Sequence, residues 1–141
     1  MCVLVLDPGN STGWCMRDKN GCLQGGTIGP NHLDVWTLLN TFNPDIVVYE
    51  TFQMYPGKAQ KLIWNTFYPC EVIGVIKLWC QKNNKQLEGL QPSVKKYALG
   101  DNELDLWKSV IVLNFDGQHP VATEHMRDTV RLLRYYERAI K

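Results

Sequence analysis

Short apolar runs that each end in a carboxylate are the clearest pattern along this chain. Residues 3–6 are apolar and run into Asp7, and residues 46–49 form a second such run that ends at Glu50. Continuous apolar character over so few residues is typical of a strand buried on both faces of a sheet. An acid at the end of such a strand is costly to keep charged unless a cation or a donor lies beside it. Each acid therefore marks a candidate site, although an Asp before Pro-Gly is also an ordinary turn residue.

Two further strands are predicted between these runs, at residues 12–17 and 22–28. The Asn-Gly pair at positions 20 and 21 is the strongest signal for a hairpin turn between them. Together with the first run they predict a three-stranded antiparallel beginning. Gly25 and Gly26 predict a bulge or a sheet edge in the third strand.

An amphipathic helix is predicted from Asn31, which can cap it, to about Phe42, because apolar residues recur there at helical spacing. A helix between two buried strands is the βαβ arrangement, which makes the first run and the run before Glu50 parallel. Asp7 and Glu50 then share one edge of the sheet. Ligands of α/β sheets collect at that edge, beyond the carboxyl ends of the strands.

The second half of the chain is predicted to be mostly helical. A long helical stretch covers residues 58–82, and Pro69 predicts a kink or a restart within it. Its apolar residues occupy more than one stripe, which indicates both a core contact and a subunit interface. The remaining predicted elements are a strand at 85–90 and helices at 93–99, 104–113 and 124–140.

The last predicted helix carries further candidate ligands. His125 and Asp128 are three residues apart, so they project from the same side of its first turns. Imidazole and carboxylate at that spacing are ordinary metal ligands, although acids are also favoured at helix N-termini by the macrodipole. Glu124 competes with His125 for the same role.

These residues together suggest a metal site. Asp7, Glu50 and Asp128 with His125 offer mostly oxygen ligands, which suit Mg²⁺ or Mn²⁺ better than Zn²⁺. Two such ions about 4 Å apart can deprotonate a water on one side of a phosphodiester and stabilise the leaving oxygen on the other. The sequence has no Walker-type phosphate loop and no Ser, Cys or Lys nucleophile constellation, which fits water as the nucleophile.

Composition narrows the class of protein. A chain of 141 residues predicts a single domain over residues 1–141, and its 45% hydrophobic content is ordinary for a soluble protein. No apolar run approaches the roughly 20 residues of a membrane span, and no signal-peptide pattern opens the chain. We therefore expect it to act in the cytoplasm, that of the host if a phage encodes it. The five cysteines lack zinc-ligand spacing and are read as reduced thiols.

The net charge of +1 alone does not indicate nucleic acid. Its distribution is more informative, because the first fifty residues are acidic and the remainder is more basic. An acid cluster that binds metal beside a phosphate-binding surface would have this asymmetry.

At this point the sequence resembles a family. Asp7-Pro8-Gly9 with Thr12-Gly13, a later strand ending in Glu50, and His125-x-x-Asp128 are similar to the RuvC-type Holliday junction resolvases of the RNase H-like superfamily, most of all the phage-borne members. The resemblance implies an RNase H-like α/β fold, with a mixed five-stranded sheet of three antiparallel and then two parallel strands flanked by helices. It also implies a homodimer and paired hydrolytic incision of four-way DNA, with other branched DNA as a further candidate substrate.

The resemblance assigns residue roles as well. The catalytic and metal-binding set is Asp7, Glu50, His125 and Asp128, with two Mg²⁺ or Mn²⁺ ions per site. Phe52 is a candidate for contacting bases at the crossover, although the large residues of its loop can equally fold back on the core. The other DNA-binding candidates are Tyr55, Lys58, Lys95, Lys96 and Lys108. The last helix departs from the family, because Val130 and Arg131 stand where small residues are usual.

Three other functions are consistent with parts of this pattern. An RNase H-like nuclease on structured RNA, of the pre-ribosomal RNA processing type, would carry the same acids. An actin-like ATPase also has an Asp-containing turn after its first strand, but that fold needs two such domains. A binding module without catalysis fits less well, because buried carboxylates that serve no purpose cost stability.

Overall fold

A mixed sheet forms the centre of the computed structural model, which describes residues 1–29, 31–52, 67–98, 110–112 and 124–139. Its strands lie in the order β5-β4-β1-β2-β3-β6. β1, β2 and β3 are antiparallel, whereas β4 and β5 run parallel to β1. The five predicted strands and their directions are thus confirmed. The strand bounds are β1 Val3–Asp7, β2 Thr12–Arg17, β3 Leu23–Ile28, β4 Ile46–Glu50, β5 Gln86–Leu90 and β6 Ile111–Val112.

Among the described residues, three α-helices and one 3₁₀ helix flank the sheet: α1 His32–Phe42, α2 Tyr68–Asn83, the 3₁₀ helix Pro92–Ala98, and α3 Glu124–Ala139. Asn31 caps α1 as predicted, because its side chain accepts a hydrogen bond from the Leu33 N–H. α2 begins at Tyr68 with Pro69 in its first turn, at the position where the sequence predicted a kink or a restart. The part of the predicted helical stretch before residue 67 lies outside the described residues. The segment at 92–98 is a 3₁₀ helix. In the described part of the chain, no helix is long and apolar enough to cross a membrane.

Two predictions about the outer strands are wrong. Residues 111 and 112 pair with β3 as a short parallel strand, where a helix over 104–113 was predicted. Both are β-branched residues, which pack well on a pleated surface. β3 pairs with β2 in regular register through Gly25 and Gly26, so there is no bulge, and β6 covers β3 on its other side. A Cβ at Gly25 would crowd the Met126 side chain of α3, so helix packing explains this glycine.

The sheet has a hydrophobic core on each face. Leu4 and Leu6 of β1 point to the face that α1 and α2 cover, and Val3 and Val5 point to the face that α3 covers. This is why the whole of β1 is apolar in the sequence. All five cysteines are free, as expected, and burial raises the pKa of Cys15 to about 12.

The approach of α3 to the sheet depends on Gly13. This residue lies in β2 directly opposite Asp7 of β1. A Cβ at Gly13 would overlap the backbone of His125 and Met126. The glycine of the Thr-Gly pair therefore lets the first turn of α3 rest on the strand, which brings the candidate ligands of that helix to the carboxyl end of β1.

We expect Gly13→Ala to destabilise the protein by about 1–3 kcal/mol, because the added methyl group meets backbone that cannot move aside without shifting α3. Chemical denaturation measures this loss. Gly29→Ala is the matched control, since nothing lies within 4 Å of the position that its Cβ would take. Equal stability of the two variants would contradict the packing role of Gly13.

Candidate metal centre

The structure brings together three of the predicted acids. Asp7 ends β1 and Glu50 ends the neighbouring parallel strand β4, as the βαβ prediction required. Asp128 reaches the same edge from the first turns of α3. One carboxylate oxygen of each lies within 4.8 Å of those of the other two, and in the described part of the chain this is the one group of three acids, histidines or cysteines that could hold a metal ion.

His125 lies beside this cluster. Its Nδ1 is 3.3 Å from Oδ2 of Asp7, and its side chain is 51% exposed. Glu124, the competing candidate, pairs with Arg131 instead, at 3.0 Å, and does not belong to the group of three acids. Of the two candidates, His125 is thus the one in contact with the acids. Its role as a metal ligand stays a prediction.

Lys95 contacts the cluster directly. Its Nζ lies 3.2 Å and 3.1 Å from the two carboxylate oxygens of Glu50, and 3.1 Å from Oδ2 of Asp128. The 3₁₀ helix carries this side chain to the edge of the sheet, where it is only 21% exposed. Lys95 was predicted to contact the DNA backbone, and that contact stays a prediction. In this structure its ammonium group contacts Glu50 and Asp128. Its neighbour Lys96 is exposed.

Arg131 is a further partner of the site that the sequence did not reveal. Its Nη1 lies 2.7 Å from Oδ1 of Asp128, so both oxygens of this carboxylate contact a cationic side chain. The spacing of three residues within one helix is a signal that could have identified the pair. This contact also explains why a long basic residue stands at this position of α3.

The environment of the cluster raises the pKa values of Asp7 and Glu50. Burial is the largest cause for Asp7, whose pKa is raised even though the hydrogen bond with His125 acts in the opposite direction. Burial and the nearby Asp7 carboxylate raise the pKa of Glu50 to about 7, although Lys95 opposes the shift. Burial alone would lower the pKa of Lys95, but attraction to Glu50 and the hydrogen bonds raise it overall. Raised pKa values mean that the negative charges of these acids are poorly compensated. A bound cation would stabilise their charged forms.

The predicted DNA-binding residues are only partly described. Phe52 follows the Glu50 strand, is 37% exposed, and has its ring centroid 6.1 Å from that of Phe67. It also lines a cavity of about 370 Å³ between the end of β4 and α2. The ring therefore packs partly against Phe67 and is partly exposed to solvent. This leaves both interpretations of the sequence open, packing on the core and contact with bases. Tyr55, Lys58 and Lys108 lie outside the described residues.

We expect Asp7→Asn to raise the Tm of the protein in EDTA by about 2–5 °C, because a neutral side chain removes a buried charge next to two other acids. We expect the same change to reduce the increase in Tm that millimolar Mn²⁺ produces in the unchanged protein, since a ligand that binds only the folded state raises Tm. Thermal denaturation with and without Mn²⁺ measures both effects.

Asp34→Asn is the control for this variant, because Asp34 is an exposed acid in the first turn of α1. It should not raise Tm in EDTA, and it should keep the full response to Mn²⁺. A Tm response to Mn²⁺ that is unaffected by Asp7→Asn would place the metal elsewhere.

Solved structures similar to this chain include Holliday junction resolvases. RuvC of T. thermophilus, solved in complex with a Holliday junction substrate, is 17% identical with a TM-score of 0.62, covering 98% of this chain and 95% of that chain. The Holliday junction resolvase of fowlpox virus is 12% identical with a TM-score of 0.62, covering 99% and 100%. The yeast mitochondrial Holliday junction resolvase is 16% identical with a TM-score of 0.59, covering 96% and 77%.

No family model and no curated protein matches the sequence. The likeness is thus one of structure, at identities of 12–17%, over nearly the whole chain. It confirms the predicted fold class. The chain has the RNase H-like fold of the RuvC-type Holliday junction resolvases.

Proposed function

We propose that this chain is a metal-dependent endonuclease that resolves four-way DNA junctions by phosphodiester hydrolysis. One observation carries the proposal: three carboxylates from β1, β4 and α3 converge within 4.8 Å at the edge where this fold collects ligands. The fold shared with resolvases solved in complex with Holliday junction DNA supports branched DNA as the substrate.

The donor set fits Mg²⁺ or Mn²⁺. Asp7, Glu50 and Asp128 would hold the ions through carboxylate oxygens, the ligands that these hard cations prefer. Such ions supply Lewis acidity and a water of lowered pKa for attack on phosphorus. The partial burial of the carboxylates strengthens their attraction for a cation, because water screens them less.

The other side chains would orient this site. Arg131 holds one oxygen of Asp128 at 2.7 Å, which fixes the rotation of that carboxylate. His125 stands half exposed next to Asp7, within reach of a phosphate that enters from solvent. Phe52, two residues beyond Glu50 and 37% exposed, is our candidate for contact with bases near the scissile bond.

A homodimer follows from the symmetry of the proposed reaction. Paired nicks need two active sites, and the described part of the chain contains one acid cluster. The exposed face of α2 supports an interface. Leu78 is 59% exposed, and Gly74 lies one turn before it with nothing within 4 Å of its Cβ position. A glycine in a helix costs about 1 kcal/mol relative to alanine, and close approach of a second helix would explain it.

We expect the protein to nick synthetic four-way junctions in Mg²⁺ and to be inactive in EDTA. Asp7→Asn should lower the rate by roughly a hundredfold or more but keep junction binding, which depends mainly on phosphate contacts and weakens as salt rises. Denaturing gels of junctions with mobile and fixed cores measure cutting, and gel shift in Ca²⁺ measures binding. Asp34→Asn should cut like the unchanged protein.

Two results would contradict the junction proposal. Equal cutting by Asp7→Asn and the unchanged protein would show that the site is elsewhere. Cutting of a structured RNA in the same buffer, with none of the DNA junction, would favour the RNA-processing alternative.

We expect Leu78→Glu to convert a dimer to a monomer, because it places a charge in the proposed interface of α2. Light scattering coupled to size-exclusion chromatography measures the mass. Ile111→Glu is the control, since Ile111 is similarly exposed but lies on β6 at one edge of the sheet. A Leu78→Glu protein that stays dimeric would exclude this face of α2 as the interface.

A further inference from the structure

Lys95 occupies an unusual position for a lysine of a DNA-binding surface. Its ammonium group lies between two acids, 3.2 Å and 3.1 Å from the two oxygens of Glu50 and 3.1 Å from Oδ2 of Asp128. These are the same carboxylates that form the candidate metal centre with Asp7. A single positive charge therefore already bridges two of its three acids.

The position of this ammonium group competes with a divalent ion. A divalent ion held by Glu50 and Asp128 would draw on carboxylates that Lys95 already contacts. Charge repulsion opposes a second cation next to the ammonium group. We therefore expect the Lys95 side chain to leave when such an ion binds.

We propose that Lys95 is a built-in counter-cation of the metal centre, which neutralises Glu50 and Asp128 before metal loading and is displaced by the incoming ion. The inference rests on the proposed function, because it requires that the acid cluster binds a divalent ion. It gives Lys95 a role that differs from that of a simple surface contact.

Displacement would also release Lys95 for the substrate. The residue lies in the 3₁₀ helix Pro92–Ala98. An ammonium group that has left Glu50 and Asp128 would be available to a phosphate of the substrate, so metal loading and phosphate binding would be coupled through this one side chain.

Binding measurements with variants test the proposal. We expect Lys95→Met to bind Mn²⁺ on the order of tenfold more tightly than the unchanged protein, because the ion no longer has to displace a hydrogen-bonded charge. In EDTA the same variant should have a Tm lower by roughly 3–6 °C, since the acids lose their partner. Isothermal titration calorimetry and thermal denaturation give the two values.

Lys96→Met is the matched control, because it removes the same charge from the adjacent position. It should leave the affinity for Mn²⁺ close to that of the unchanged protein. Equal affinity of all three proteins for Mn²⁺ would overturn the proposal, and so would weaker binding by Lys95→Met.

Amine labelling of the unchanged protein tests the displacement without any variant. A lysine-directed acylating reagent, quantified by peptide mass spectrometry, should modify Lys95 several-fold faster in saturating Mn²⁺ than in EDTA, whereas Lys96 serves as the internal reference. A rate at Lys95 that does not change with Mn²⁺ would show that the ammonium group stays in place, which contradicts the proposal even if Lys95→Met fails to fold.

The two proposals fail in different ways. If the unchanged protein cuts junctions in Mg²⁺ but the labelling rate of Lys95 does not respond to Mn²⁺, the proposed function stands and the proposed role of Lys95 is wrong. If the protein neither binds Mn²⁺ nor cuts junctions, both proposals are wrong. If Mn²⁺ binds and displaces Lys95 but no nucleic acid is cut, the role of Lys95 as a counter-cation stands and the proposed nuclease function is wrong.

Discussion

The close approach of three carboxylates at one sheet edge is the constraint on which the rest of the structure depends. Two unit charges about 4–5 Å apart near a protein surface repel by roughly 3–4 kcal/mol, and partial burial adds a desolvation cost. Nitrogen groups from three other side chains lie against the acids and offset part of this energy: those of His125, Lys95 and Arg131. The basic residues of this region are thus explained by the acids that they contact.

The fold brings the acids together by two different means. β1 and β4 are adjacent parallel strands, so the acids at their ends meet without any special packing. Asp128 arrives on a helix, and the helix can lie close to β2 only because Gly13 has no side chain. The Thr-Gly pair that marked the family resemblance therefore has a packing role, since its glycine supports the site without contributing a ligand.

The outer strands show where local sequence patterns stop being informative. The stretch at 104–113 has an apolar pattern that suits a helix, yet residues 111 and 112 complete the sheet beside β3. Gly25 was predicted to mark a bulge or an edge, but it leaves room for Met126. In both cases a neighbour distant in sequence decides the outcome, because strand pairing and close packing add energies that exceed weak local propensities.

The sequence by itself determined the buried strands, the helix between them and the edge at which Asp7 and Glu50 meet. Those features follow from periodicity and chain connectivity, which are local or nearly so. Only the tertiary structure decided that Lys95, 45 residues from Glu50, places its ammonium group between that acid and Asp128. Such a contact has no local signal, because a lysine in a short polar segment looks the same whether its charge faces solvent or an acid. The packing of the 3₁₀ helix against α3 makes that choice.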